Sequence, residues 1–174
     1  SAEVAALKRF CGAVHTVPMA RDKWRDGLAM LRSLLTAQPW MMVRDERAAM
    51  RELVDRLARE EHFDVAHADQ LNMGQYALRV AGARKLLDLH NALWLLYKRL
   101  AETMPSGPRR WLLNRDWRLL KTYEGRLCGE FDAVMAVSEE DKIALQDAMG
   151  GRAKPIKVIP ITVDGDEVAE VRRA

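Results

Sequence analysis

The chain has 174 residues, 49 % of them hydrophobic and 30 % charged, with a formal net charge of +3. Those values exclude a disordered chain and suit one domain with a sizeable core. The charge excess is too small to argue for nucleic acid, which calls for basic residues clustered on one face.

Residues 2–11 read as a helix, and Ala13-Val14-His15-Thr16-Val17 as a short strand closed by Pro18. From Arg21 to Thr36 the apolar residues Trp24, Leu28, Leu31 and Leu35 recur with a helical period. Gln38-Pro39-Trp40 ends that helix. Asp45 to Glu61 reads as one further helix, with Met50, Leu53, Val54 and Leu57 on one face. A strand over 64–68 follows, then a short helix from Leu71 to Val80 stopped by Gly82. Lys85 to His90 is a strand interrupted by Asp88, and Asn91 is placed to cap a helix from Ala92 to Thr103. The loop Pro105-Ser106-Gly107-Pro108 precedes a long helix, Arg109 to Cys128, with Leu113, Trp117, Leu120, Glu124 and Leu127 on a helical repeat. A strand over 132–137 runs into Ser138-Glu139-Glu140-Asp141, an N-cap with an acidic first turn. That helix reaches Met149 and stops at Gly150-Gly151. Pro155 to Pro160 is a last short strand. The domain is read as 1–164, with 165–174 a polar tail or the start of a linker. Strands alternating with helices imply a Rossmann-like α/β fold, a parallel sheet with helices on both faces.

One fragment is repeated. Phe63-Asp64-Val65-Ala66-His67-Ala68-Asp69 is echoed by Phe131-Asp132-Ala133-Val134-Met135-Ala136-Val137-Ser138. Each begins Phe-Asp, runs through small or branched apolar residues and stops at a polar one. Apolar runs are how strands buried in a parallel sheet read. The polar stop falls where such a sheet presents its ligand crevice. Three strand ends converge there, offering His67 with Asp69, His90 with Asn91, and Ser138 with Glu139. Carboxylates, amides and imidazoles suit a polyhydroxylated ligand. Two readings stand for Asp69, Asn91 and Ser138, since each can also cap a helix. His90 is a general base or hydroxyl ligand, or else a hydrogen-bonded structural histidine. His67, on a buried-type strand, reads as structural.

A basic, aromatic segment runs through Trp94, Lys98, Arg99, Arg109, Arg110, Trp111, Arg115, Trp117, Arg118, Lys121 and Arg126. It reads either as a helix pair covering the sheet or as a face for an anionic membrane, with Trp94, Arg109, Arg110, Trp111, Arg115, Arg118 and Lys121 turned to the lipid. Nucleic acid is not expected as a partner. No Gly-rich phosphate loop is present, and Glu139, Glu140 and Asp141 occupy the helix start where a phosphate would sit. No cofactor is therefore expected to bind here, and no His, Cys or Asp group has metal-ligand spacing. Cys11 and Cys128 are expected as free buried thiols in a reducing cytosol. No apolar stretch is long enough to cross a bilayer.

The order of four motifs resembles the amino-terminal domain of retaining GT-B glycosyltransferases of family 4, group 1. They are Phe63 to Asp69, Leu87-Asp88-Leu89-His90-Asn91, Phe131 to Asp141, and Val158-Ile159-Pro160-Ile161-Thr162-Val163-Asp164. The last carries Ile161-Thr162 where Asn-Gly is usual. The resemblance implies a cytoplasmic enzyme, peripheral at the inner membrane face, that moves a hexose from a nucleotide sugar to a glycan, lipid or small-molecule acceptor. It implies that His90 faces the acceptor with Asp69, Asn91, Ser138 and Glu139 near it. It further implies a partner domain, beginning near residue 165, that binds the donor. The family's opening strand and Gly-rich loop have no counterpart before residue 14, so the chain reads as a truncated half, inactive alone. Strands 13–17 and 64–68 would then lose a neighbour and offer an edge for self-association. A non-catalytic sugar-binding domain, or one that docks on membranes or proteins, is the alternative.

Overall fold

The computed structural model describes residues 2–19, 22–151 and 154–162. Four strands form one parallel sheet in sequential order: β1 (Val65–Asp69), β2 (Arg84–Leu89), β3 (Ala133–Ala136) and β4 (Ile156–Val158). Eight helices accompany them among the described residues: α1 (Ala2–Leu7), α2 (Lys23–Thr36), α3 (Trp40–Asp45), α4 (Ala48–Glu60), α5 (Leu71–Ala77), α6 (Leu93–Thr103), α7 (Pro108–Glu130) and α8 (Glu139–Ala148). The Rossmann-like α/β expectation is met. Helical crossovers are what parallel neighbours require.

The core lies where β2 and β3 meet α7 and α8. Leu87, Leu89, Leu120, Leu127, Phe131, Val134 and Leu145 are all buried there. Two glycines set the helix spacing. A Cβ on Gly125 of α7 would stand 2.0 Å from the carbonyl oxygen of Ala148, and one on Gly74 would stand 2.6 Å from Leu127 Cδ2. Glycine is needed at 125 because backbone passes too close for any side chain, whereas at 74 the contact is the end of the Leu127 side chain. The repeated Phe-Asp fragments turn out to be β1 and β3, flanking β2. Asp132 ties its strand to β2, its carboxylate accepting from Lys85 N at 2.8 Å. That bond, ahead of the Arg84 guanidinium nearby, holds the Asp132 carboxyl below its ordinary range.

Several expectations change. Residues 13–17 form no strand, and no backbone ladder holds them among the described residues. A five-residue strand needs a sheet neighbour for its amides, and none lies alongside. The helix expected over 45–61 starts only at Ala48, and a separate short helix, α3, stands at 40–45 where a break was expected. Glu46 and Arg47 leave helical geometry, and Arg47 N donates to the Tyr76 hydroxyl at 2.8 Å, so a tertiary bond replaces a helical one. Asn91 does not cap α6, whose cap residue is Ala92. Cys128 is buried and its thiol pushed up to about 12 by desolvation, whereas Cys11 is exposed. The polar tail expected from residue 165 lies outside the described residues.

Strand β1 ends the sheet. Its outer edge pairs with nothing among the described residues, and Val65 on it is 54 % exposed. An apolar cleft of about 380 Å³ opens beside it, walled by Met50, Val54 and Leu57 of α4 and by Met73 and Tyr76 of α5. An unpaired apolar edge templates another chain. The protein is expected to self-associate at micromolar concentration, and Val65→Lys to shift it toward monomer. Light scattering checks both; identical behaviour of the two proteins contradicts the role given to this edge.

Candidate functional site

Parallel pairing places Asp69 of β1 directly beside Asp88 of β2. Side chains two residues apart on a strand share a face. His67 and Asp69 therefore line up beside Asp88 and His90. The pairing is diagonal: His90 Nε2 lies 2.9 Å from Asp69 Oδ1, and His67 Nε2 lies 3.9 Å from Asp88 Oδ2. Two like charges held side by side on adjacent strands repel, and each has an imidazole as its neighbour instead. His67, expected to be structural, belongs to this group, and so does Asp88, which the sequence showed only as a break in a strand. The signal that points to them is His-x-Asp on one strand and Asp-x-His on the next.

His90 and Asn91 open into a cleft of about 430 Å³, with Arg44, Asp45, Gln70 and Asn72 also on its walls. Gln70 follows β1 with φ 74° and ψ 159°, a backbone conformation that side chains rarely adopt. Its N–H donates to the Asp88 carbonyl at 2.8 Å, which holds the chain there. Arg44 is the only cation among the lining residues. Its guanidinium bonds Asp45 through Nε at 2.8 Å and Nη2 at 3.1 Å, which raises its pKa and occupies its fork. The cleft thus combines amides, one imidazole and a neutralised charge pair with the apolar Met19, Met41, Leu71, Leu89 and Leu93, a mixed lining suited to a polyhydroxylated ligand rather than to phosphates.

Ser138 and Glu139 do not join it. Ser138 Oγ accepts from Asp141 N at 3.1 Å and caps α8, as the sequence predicts, while Glu139 pairs with Lys142 at 3.0 Å. Asp141 in turn reaches across, its Oδ1 accepting from Ala92 N at 2.8 Å. The next two amides at the start of α6 are taken by one residue of α7. Glu124 Oε1 accepts from Leu93 N at 2.9 Å and Oε2 from Trp94 N at 2.7 Å. Glu124 is completely buried. Three successive orphan amides are therefore satisfied by two carboxylates from elsewhere in the chain. These bonds fix the backbone directly after His90 and Asn91. In the sequence Glu124 reads as one more position on an apolar repeat, and only its polarity there is a signal.

Most of the basic segment turns inward or is paired. Trp94 is 5 % exposed, its Nε1 donating to the Ala144 carbonyl, with Lys121 over its ring and bonded to Asp147. Arg115 bonds Ser33, and Arg118 lies over Trp117. Trp94, Arg115 and Lys121 are thus drawn in by the packing of α6 on α7 and form no outward lipid face, whereas Arg118 stays exposed over Trp117. Arg109 and Trp111 remain exposed, and Arg110 is half-buried.

Asp69, Asp88 and His90 bring ligand atoms within 4.8 Å of one another, a grouping assembled by register rather than by sequence spacing. The donor set can accept a divalent cation, at the cost of the His90–Asp69 contact.

The fold and this crevice define an α/β domain with its working edge at the carboxyl ends of parallel strands. A model of the family described as Glycosyltransferase Family 4 matches residues 15–167, and the chain belongs to that family. Comparison with curated proteins and with solved structures returns no significant match. It is a glycosyltransferase-type domain, and no described helix is long and apolar enough to cross a membrane.

Burial pushes the Glu124 carboxyl up to about 7, against the two backbone bonds that favour its charge. The folded state therefore holds a proton that the unfolded chain releases near 4.5. Stability falls as pH rises between these two values, by on the order of 3 kcal/mol, and levels off above. Asp116, raised by desolvation, adds a slope of the same sign. Glu124→Gln is expected to flatten the decline that ends near pH 7. Urea unfolding across this range checks it; parallel curves for the two proteins contradict the assignment.

Proposed function

We propose that the chain is the acceptor-side half of a glycosyltransferase that takes its sugar from a nucleotide-sugar donor, and that His90 handles the acceptor hydroxyl. The observation that carries this reading is the 2.9 Å contact between His90 Nε2 and Asp69 Oδ1, with His90 lining a cleft of mixed polar and apolar walls. A neutral imidazole that donates its Nε2 proton to a carboxylate keeps its lone pair on Nδ1. Nδ1 has no partner among the described residues. It takes the acceptor proton as the acceptor oxygen bonds the sugar carbon. The bond from that carbon to the donor phosphate breaks, and its electrons leave with the nucleoside diphosphate. Asp69 stabilises the imidazolium so formed. Asn91, Gln70 and Asn72 supply amides that orient the remaining hydroxyls.

The donor phosphates call for cations or helix starts. The start of α8 carries Glu139, Glu140 and Asp141, and Arg44 is bound to Asp45. Donor binding therefore falls to a second domain, and residues 1–174 alone are inactive in this reading.

His90→Ala in the polypeptide that carries both halves is expected to lower kcat about a hundredfold, within the range of general-base contributions. Because His90 is exposed, the thermal midpoint stays close to that of the parent. Asp69→Asn should lower kcat less and move its pH profile, since the tautomer is no longer held. Turnover near the parent's in His90→Ala contradicts the role.

A further inference from the structure

Helix α2 is packed the wrong way round for a helix of a globular protein. Its small residues Ala29 and Ser33 are buried, while Trp24, Leu28, Leu31 and Leu35 are 81 %, 63 %, 54 % and 79 % exposed. At about 100° per residue the four large side chains form one stripe opposite the packed face. Leu34, also exposed, lies four residues after Met30 and three after Leu31, so it neighbours both on the helix surface. Met30 lines an apolar groove of about 610 Å³ between α2, α3, α6 and α7, whose other walls include Leu96, Leu100, Met104 and Leu112. Leu96 and Leu100 are exposed too. One apolar surface thus runs from the outer stripe of α2 into a groove.

Cations predominate among the exposed charges around that surface. Lys23 and Arg25 are exposed beside the stripe, and Arg32, which shares Glu46 at 3.1 Å, stays largely open. Arg109 is exposed at the rim of the groove. Three carboxylates lie in this stretch. Asp22 is exposed at the helix start, which it caps by accepting from Trp24 N, and Asp26 lies half-buried on the inner side. Asp116 in the groove is buried and accepts from Trp40 N. A second copy of the chain would bring its own cations against those of this surface.

We infer that the outer face of α2, with the groove behind it, docks on an anionic lipid surface. Tryptophan and leucine on one face with flanking Lys and Arg are what an interfacial helix uses, the apolar stripe entering the acyl boundary and the cations meeting headgroups. The groove receives acyl-chain ends that the stripe admits. This surface shares only Arg109 and the Ser33-bonded Arg115 with the basic segment of α6 and α7, most of whose other cations are internally paired. It stands whether or not His90 has the role given above.

Flotation with vesicles tests it, using phosphatidylcholine alone and phosphatidylcholine partly replaced by phosphatidylglycerol. The chain is expected to bind the anionic vesicles, less so as salt rises, and to ignore the neutral ones. Leu28→Asp with Leu31→Asp should lower binding about tenfold or more. Arg25→Glu should lower it about fivefold or more, on anionic vesicles only. The substituted side chains are exposed, and unchanged circular dichroism verifies the fold; should the double leucine variant unfold, Arg25→Glu carries the test. Failure of the parent chain to float with anionic vesicles overturns the inference. So does equal binding by the variants, or a dimer split by the leucine changes with no vesicle capture, which would assign the stripe to a second copy.

Discussion

A fully buried carboxylate organises the working edge of this domain. Glu124 sits in the middle of α7 and accepts from two successive amides of α6. Burying a charge is costly unless it is bonded, and leaving helix-start amides buried and unpaired is costly as well. Each cost is met by the other, which makes the arrangement specific: no neutral apolar residue at 124 can satisfy Leu93 N and Trp94 N. Asp141 extends the device to Ala92 N from α8. The loop that presents His90 and Asn91 thereby hangs from two helices that are not its sequence neighbours.

The same helix gathers the rest. Along α7, Asp116 accepts from Trp40 N at 2.9 Å and so anchors α3, while Arg115 holds the end of α2 through Ser33. Gly125 lets α8 approach, and just past the helix Lys154 bonds the carbonyls of Gly129 and Phe131, tying in the segment before β4. Packing of this density leaves little freedom for the strands' carboxyl ends. A site built on strand ends and one fixed loop is better placed than one on free loops. The anchor that holds the cleft and the helix that bears the proposed lipid face thus meet on α7, through Glu124 at one point and Arg115 at another.

Much of this was legible before any coordinates, and the rest was not for physical reasons. Apolar runs located β1, β2 and β3, and the Ser138 cap and the long helix through Leu120 read directly from local pattern. Asp69 and His90 were legible as strand-end residues because the crevice rule depends only on topology. Their mutual contact was not, since it depends on register, and neither was the inclusion of His67 and Asp88. Asn91 looked like a cap because capping is usually local; here two distant carboxylates hold those amides, and no single-sequence rule sees them. The period that marks α2 as a helix is real, but period alone does not say which face the protein covers. Residues 13–17 have strand composition without a strand's neighbour.

The pairing of Glu124 with the start of α6 can be observed directly. The amide resonances of Leu93 and Trp94 should shift together as pH is raised, with a shared midpoint of about 7 set by the carboxyl they both bond. In Glu124→Gln the two resonances should stay level over the same range. Flat resonances in the parent protein, or a midpoint in the ordinary carboxylate range near about 4.3, would contradict a buried Glu124 as the anchor of this site.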